Sequence, residues 1–358
     1  MRAEKITLRN FRSYEERTFE FSDGVNAVCG ANAAGKTNLL EAIYYFAAGK
    51  SFRAPLSSDL VRTGTQKAEI TLEYSNVYGT SNIGAEIRKS GKKTFNKNGV
   101  PLLLMSEFLG RFRVVLFTPE HLNIAKGAPE HRRKLIDYAL CQLQPRFVAT
   151  LNEYNKWRMQ KNSLLKPSFD DSGKEELLGI INERMASLGA VITVQRYKYL
   201  SELQKRANEI QKTMSGGRED LELIFKSQVT VEEMTVEQVR NGYAELFERR
   251  ARVEREQHTA MFGPHKEDFG ININGAPIRS YGSQGQQRTA VLSIKLAEGV
   301  LSYNVTGEYP VYLFDDVLSE LDADRRKAML GRIPDKQIII TACDDNLPIK
   351  NIARMIRI

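Results

Sequence analysis

Cysteine is scarce in this chain, and its placement excludes whole classes of chemistry. Cys29, Cys141 and Cys343 lie far apart, without the spacing of a metal site or a redox pair, which points to a reducing compartment. Long apolar runs are missing too: no uninterrupted stretch has the length needed to cross a bilayer. The opening Met1-Arg-Ala-Glu-Lys-Ile lacks the pattern of a signal peptide. There is no internal repeat and no low-complexity tract. Together these absences predict a cytoplasmic protein without a membrane partner. What is present is a globular composition, 358 residues with 42% hydrophobic, enough for two or three domains and a sizeable core. Fifty-two Lys and Arg against 44 Asp and Glu leave a formal charge of +8, which suits a nucleic-acid or other anionic partner without proving one.

The most informative segment is Gly30-Ala-Asn-Ala-Ala-Gly-Lys-Thr37, which follows the apolar stretch Val25–Cys29. It has the spacing of a phosphate-binding loop. Gly30 and Gly35 let the backbone curl so that successive N–H groups, through Ala31, Asn32, Ala33 and Ala34, face phosphate oxygens. The helix that begins near Gly35 adds its positive dipole end. Lys36 places a point charge on the β- and γ-phosphates, and Thr37 offers a hydroxyl to a magnesium ion, Mg2+. The plain alternative is a glycine-rich turn before a helix, and the lysine and threonine argue against it.

Residues 4 to 117 read mostly as strands, with Asn98-Gly99 as a hairpin turn. From Pro129 the pattern becomes helical. Two long helices are expected over 129–165 and 174–214, joined by a turn at Pro167 to Gly173 and ended by Ser215-Gly216-Gly217. A strand at 221–225 and a helix near 236–258 follow. From 268 onward strands and helices alternate again: a strand at 269–273, a helix over 284–302, a strand at 311–314, a helix at 322–330 and a strand at 337–341. The expected fold is α/β, a nucleotide-binding head built from both chain ends and interrupted by a helical lobe. The boundaries are 1–128, 129–258 and 259–358. A coiled-coil arm is the alternative for the two long helices; their shortness and wide apolar stripe favour a lobe.

Val311-Tyr-Leu-Phe-Asp315-Asp316 is an apolar strand ending in two acids, the shape of a Walker B motif. Asp315 would lie beside the loop and hold magnesium, and Asp316 would face the attacking water. Ser319-Glu-Leu-Asp322 follows at once. Ser283-Gln284-Gly285-Gln286-Gln287 stands shortly before that strand, with Ser283 suited to cap a helix and Gly285 to close backbone approach.

This order of motifs resembles that of ABC-type ATPases, in which the serine and glycine of the S-x-G-Q segment contact a nucleotide held by a second subunit. The chain is similar, nearly end to end, to the RecF family of bacterial recombinational-repair ATPases, which have an SMC-like head and no long coiled coil. The matching segments are Asn10-Phe-Arg-Ser-Tyr14, the loop with Asn38-Leu-Leu-Glu-Ala-Ile, Ser51-Phe-Arg53, Asp59-Leu-Val-Arg62, Phe117-Thr-Pro-Glu120, Gly127–Arg133, Gly263-Pro-His-Lys266, Ser283–Thr289 and Asp315–Asp322. The resemblance implies a mixed-sheet ATPase head, ATP and magnesium as cofactors, and ATP-dependent homodimerisation on DNA at gaps or single-strand/double-strand junctions. It also implies a nucleoid-associated role in loading RecA with RecR and RecO, and weak DNA-stimulated ATP hydrolysis.

Under that resemblance Asn32 and Asn38 flank the phosphates, and Arg12 and Ser13 reach the nucleotide. Arg62 supplies positive charge near the phosphates, with a surface ion pair as the alternative reading. Two departures from transporter ATPases stand out: Asp316 replaces the usual glutamate, and Ile338–Cys343 carries no histidine, although Thr341 lies there. A glutamine commonly found in such ATPases where the first lobe meets the helical lobe is also not evident in Val114–Thr118. These departures predict slow turnover, with ATP as a dimerisation switch. The competing readings are a non-hydrolysing DNA-bound scaffold and a transporter ATPase subunit. His265 reads as structural. Candidates for DNA contact are Arg132, Arg133, Lys156, Arg158, Lys161, Arg196, Lys198, Arg325 and Arg326, and recognition should follow DNA structure rather than base sequence.

Overall fold

The computed structural model describes residues 1–167, 173–317, 336–342 and 353–358. In chain order the first part contains β1 (Arg2–Phe11), β2 (Tyr14–Glu20), β3 (Val25–Cys29), α1 (Lys36–Ala48), β4 (Lys67–Asn76), β5 (Gly79–Arg88), β6 (Lys93–Lys97), β7 (Val100–Leu102), α2 (Met105–Phe108), β8 (Val114–Phe117) and α3 (Asn123–Lys126). The helices α4 (Pro129–Leu143), α5 (Pro145–Leu164) and α6 (Lys174–Met214) follow, then β9 (Leu221–Lys226) and α7 (Val236–Glu256). The last part contains β10 (Asp268–Ile273), β11 (Ala276–Pro277), α8 (Ile278–Tyr281), α9 (Gln284–Thr306), β12 (Val311–Phe314), β13 (Ile338–Ala342) and β14 (Ala353–Arg357). The expected helix at 322–330, the Ser319–Asp322 segment, Cys343, Arg325 and Arg326 lie outside the described residues, as does most of the turn expected at 167–173.

Five parallel strands in the order β14-β3-β13-β12-β8 form the sheet that carries the nucleotide motifs. β8, β12 and β13 are buried along their whole length, as parallel strands covered on both faces must be. Alternation then divides their side chains between two cores. Val28, Val114, Leu116, Val311, Leu313 and Ile339 face one core, shared with α1 and the antiparallel sheet β2-β1-β4-β5-β6-β7. Ala27, Val115, Phe117, Tyr312, Phe314 and Ile340 face the other, shared with α4, α6 and α9. α1 lies between the two sheets, so Leu39, Ile43, Phe46 and most of its other positions are buried.

The expected helix over 129–165 is two helices. Gln144 takes φ −134° and ψ 94°, which ends α4, and Pro145 starts α5. The residue before a proline is pushed out of the helical region by the ring, and proline suits a first helical turn. α6 runs unbroken for 41 residues and stops where Ser215 caps it and Gly216 and Gly217 turn left-handed. One window of α6 is long and apolar enough to cross a membrane by composition. Its Ile181, Met185, Ile192, Leu203 and Ile210 are nonetheless packed inside the second core. The expected hairpin forms: Lys97 pairs with Val100, and Asn98 and Gly99 both take positive φ. β10, in the third expected segment, pairs along its length with β9 of the lobe.

Candidate nucleotide site

The phosphate-loop strand and the acidic strand are not neighbours; β13 lies between β3 and β12. All three end at the same edge, the carboxyl edge of a parallel sheet, where ligands of such folds bind. Thr37 opens α1 and donates its Oγ1 proton to Asp315 Oδ1 at 3.0 Å. Thr341, at the end of β13, donates to the same oxygen at 2.9 Å and accepts from the Asp316 amide at 2.9 Å. Thr341 thus ties the Asp315 carboxylate to the backbone at Asp316. Asp316 sits at φ 53°, a left-handed conformation aspartate tolerates better than most residues, and its side chain is exposed.

Around these groups opens a cleft of about 410 Å³. Its walls are Asn32, Ala33, Gly35, Lys36, Thr37 and Asn38 on one side, and Asp315, Asp316, Thr341, Pro119 and Arg53 on the other. Lys36 Nζ donates to the Gly30 and Ala31 carbonyls at 2.6 and 2.9 Å, which holds the loop closed upon its lysine. The Ala34 amide donates to the Ala31 carbonyl at 3.2 Å. Gly35 has φ 112°, and a Cβ there would stand 2.9 Å from the Tyr14 hydroxyl, so no other residue fits. The paired oxygens of Thr37 and Asp315, hard and few in number, suit magnesium.

Arg12 and Arg62 do not line this cleft. Arg12 grips the fully buried Glu41 with two bonds of 2.8 and 2.7 Å, and Arg62 pairs with Glu15 at 3.3 Å on the surface. Ser13 accepts from Asn38 Nδ2 at 2.8 Å and so braces the rim. Arg53, which the motif reading left without a role, does line the cleft; it bonds Asn38 and, at 3.0 Å, Glu41. Burial alone would raise the Glu41 carboxyl, but hydrogen bonds from Arg12, Arg53 and Ser51 overcome it and hold the group below its ordinary value. The signal available in the sequence was Glu41 itself, a single acid on an otherwise apolar helix face, which needs cationic partners to be buried.

Ser283 caps α9: its Oγ accepts from the Gln286 amide at 3.2 Å, and Gln286 Oε1 accepts from the Ser283 amide at 2.9 Å. Ser283 and Gln284 are exposed, Gly285 is half-buried, and none of the four signature residues lines the Lys36 cleft of its own chain.

Three of the basic residues expected to touch DNA are structural instead. Arg132 is buried and bonds both Asp268 oxygens at 2.7 and 2.9 Å. Lys161 is buried against Glu254 at 2.5 Å. Arg196 is buried between Asp137, at 2.9 Å through both oxygens, and Glu267, at 3.2 Å. Each charge is satisfied by an acid far away in the chain, so none is offered to a partner. Lys156 and Lys198 are exposed; Arg133 and Arg158 are half-buried.

These ion pairs anchor the segment around Gly263-Pro-His-Lys266. A Cβ on Gly263, at φ 127°, would stand 2.4 Å from the Tyr154 hydroxyl. His265 Nδ1 meets that hydroxyl at 2.7 Å and Nε2 donates to the Ala260 carbonyl at 3.1 Å, so Nε2 carries a proton and, in the neutral ring, Nδ1 accepts from the hydroxyl. Burial pushes the His265 pKa down to about 3, against the pull of the Ala260 hydrogen bond. The unfolded chain therefore takes up this proton near pH 6.5 and the folded chain does not. Stability is fully present above that pH and falls as pH drops from 6.5 towards 3. Chemical denaturation between pH 7 and pH 4.5 should show a slope approaching about 1.4 kcal/mol per pH unit from this group. His265→Gln should remove that share of the slope; an unchanged slope would exclude the neutral buried ring.

The family described as RecF/RecN/SMC N terminal domain matches residues 2–358. The chain is 38% identical over 341 residues to the DNA replication and repair protein RecF of Clostridium novyi, covering 95% of this chain and 92% of that protein. The chain belongs to the RecF family. The RecF of Halalkalibacterium halodurans is 36% identical over 334 residues, covering 93% and 90%. A solved RecF described as the recombination mediator protein RecF-ATPrS in the RecFOR pathway superposes with TM-score 0.91 at 35% identity, covering 96% of this chain and 93% of that one. The head domain of Smc from Pyrococcus furiosus, with an extended coiled coil, matches at TM-score 0.54 and 20% identity, a likeness of fold. The fold is thus the SMC-like, ABC-type ATPase head with a helical lobe.

Proposed function

We propose that this chain is an ATP-dependent DNA-binding protein of recombinational repair, whose ATP site is completed by a second copy of itself. The observation that carries this reading is the separation of two half-sites. The Lys36 cleft holds the loop, Thr37, Asp315 and Asp316. The capped N-terminus at Ser283 is exposed and faces no group of that cleft. The exposed start of α9 presents the positive end of a long helix and the Ser283 hydroxyl, a combination that suits an anion. In the dimer it meets the γ-phosphate bound at the partner's Lys36. When bound, magnesium neutralises phosphate charge, held by Thr37 and Asp315. Asp316, kept in place by Thr341, orients the attacking water.

ATP then acts as a closing switch with slow, DNA-stimulated hydrolysis as release. The head formed by 1–128 and 259–358 and the lobe 129–258 close together over DNA at gaps and single-strand/double-strand junctions in the cytoplasm, at the nucleoid. The relatives' place in the RecFOR pathway supports RecR as the direct partner, with RecO and RecA acting after it.

The test is molecular mass with and without ATP, in the presence of a gapped duplex. A dimer that requires ATP, and DNA binding that requires the dimer, support the reading; a nucleotide-independent monomer on DNA would sink it. Asp316→Asn should slow hydrolysis by about 100-fold or more and leave an ATP-bound dimer that persists. If this variant hydrolyses at the normal rate, Asp316 does not orient the water.

A further inference from the structure

A second cleft, of about 320 Å³, opens in the lobe where α4, α5 and α6 meet the His265 turn. It shares no lining residue with the nucleotide cleft. Arg133, Lys134, Arg158 and Arg196 face it, against Glu130 and Asp137, so among the described residues four cations meet two carboxylates and the balance is +2. The pairing locates the excess. Lys134 is held by Glu130 at 2.5 Å and Arg196 by Asp137 at 2.9 Å. Arg133 donates one N–H to the Glu267 carbonyl at 2.8 Å, a neutral acceptor. Among the described residues no carboxylate pairs with Arg158. A half-buried guanidinium that pairs with no carboxylate keeps its donor fork available to an anion entering the cleft.

We propose that this cleft binds a phosphate group of the DNA backbone, gripped by Arg133 and Arg158. Guanidinium forks match phosphate oxygens in pairs, and the neighbouring Asn155 adds a neutral polar group. The cleft admits a phosphodiester group and not a duplex, so the DNA lies across its mouth. His265 lines the same cleft, and Arg158 and Arg133 disfavour its cationic form in addition to burial. Of the nine basic candidates in the sequence, this assigns Arg133 and Arg158 to DNA. It rests on the DNA-binding reading above.

The experiment measures gapped-duplex affinity with ATP by fluorescence anisotropy at several salt concentrations, for the unaltered protein, Arg158→Ala and Arg158→Lys. Arg158→Ala should weaken binding about tenfold and make the dependence of log K on log salt shallower by about one. Arg158→Lys should keep most of the slope and part of the affinity. Thermal unfolding should be unmoved in Arg158→Ala, because no ion pair is lost. Unchanged DNA affinity and slope in Arg158→Ala would overturn the backbone site; if calorimetry then shows inorganic phosphate binding that Arg158→Ala loses, the cleft serves free phosphate. If the unaltered protein binds no gapped duplex, the functional reading fails. Inorganic phosphate then decides the cleft separately, and its absence there overturns the phosphate site as well.

Discussion

In a Lys36→Ala variant, ATP affinity falls by about 100-fold or more and ATP no longer drives dimerisation. Lys36 is the one cation in the loop, and its Nζ lies at the mouth formed by the Gly30 and Ala31 carbonyls, 2.6 and 2.9 Å away. A triphosphate brings up to four negative charges into a cleft whose other walls carry Asp315 and Asp316. Among the described residues that line the cleft, the remaining cation without Lys36 is Arg53, which is already bonded to Asn38 and Glu41. The fold should survive, because α1 is held by its apolar faces and not by Lys36. The check is fluorescent-nucleotide binding together with molecular mass in saturating ATP. A variant that still dimerises at ordinary ATP concentrations would show that the loop does not couple nucleotide to assembly.

Arg196→Ala should destabilise the protein by about 3–5 kcal/mol, the cost of stripping a buried charge from its partners. Its guanidinium bonds both oxygens of Asp137, the Pro264 carbonyl at 2.6 Å and Glu267 at 3.2 Å. Glu267 in turn accepts from Thr193 and Tyr243 at 2.7 and 2.8 Å. Removing the arginine leaves two carboxylates facing each other's field inside the lobe. Urea unfolding measures the loss, and a change below about 1 kcal/mol would mean the pair is replaced by water at no cost. Arg158→Ala offers the contrast: the same residue type on a neighbouring helix, with no ion pair to break, should stay within about 0.5 kcal/mol.

The contrast between Arg158 and Arg196 shows where sequence reading ends. Both are arginines on long amphipathic helices, and helix period alone marks each as an equal candidate for DNA. What separates them is Glu267, 71 residues along the chain from Arg196, and Asp137, 59 residues the other way. The same holds for Arg53 in the nucleotide cleft. It lies 12 residues from Glu41 in sequence, close enough to suspect, but its place in the cleft wall depends on how the loop after α1 folds back.

By itself the sequence determined the loop from Gly30 to Thr37, the acidic strand end at Asp315 and Asp316, the Ser283 cap and the Asn98-Gly99 turn. These depend on residue type at fixed short spacing, and backbone stereochemistry acts over a few residues. Only the tertiary structure decided that β13 stands between β3 and β12, so that Thr341 joins Thr37 on Asp315. It alone decided which basic side chains are spent on buried acids, because an ion pair across the core is set by packing between distant elements, and no local pattern encodes the partner.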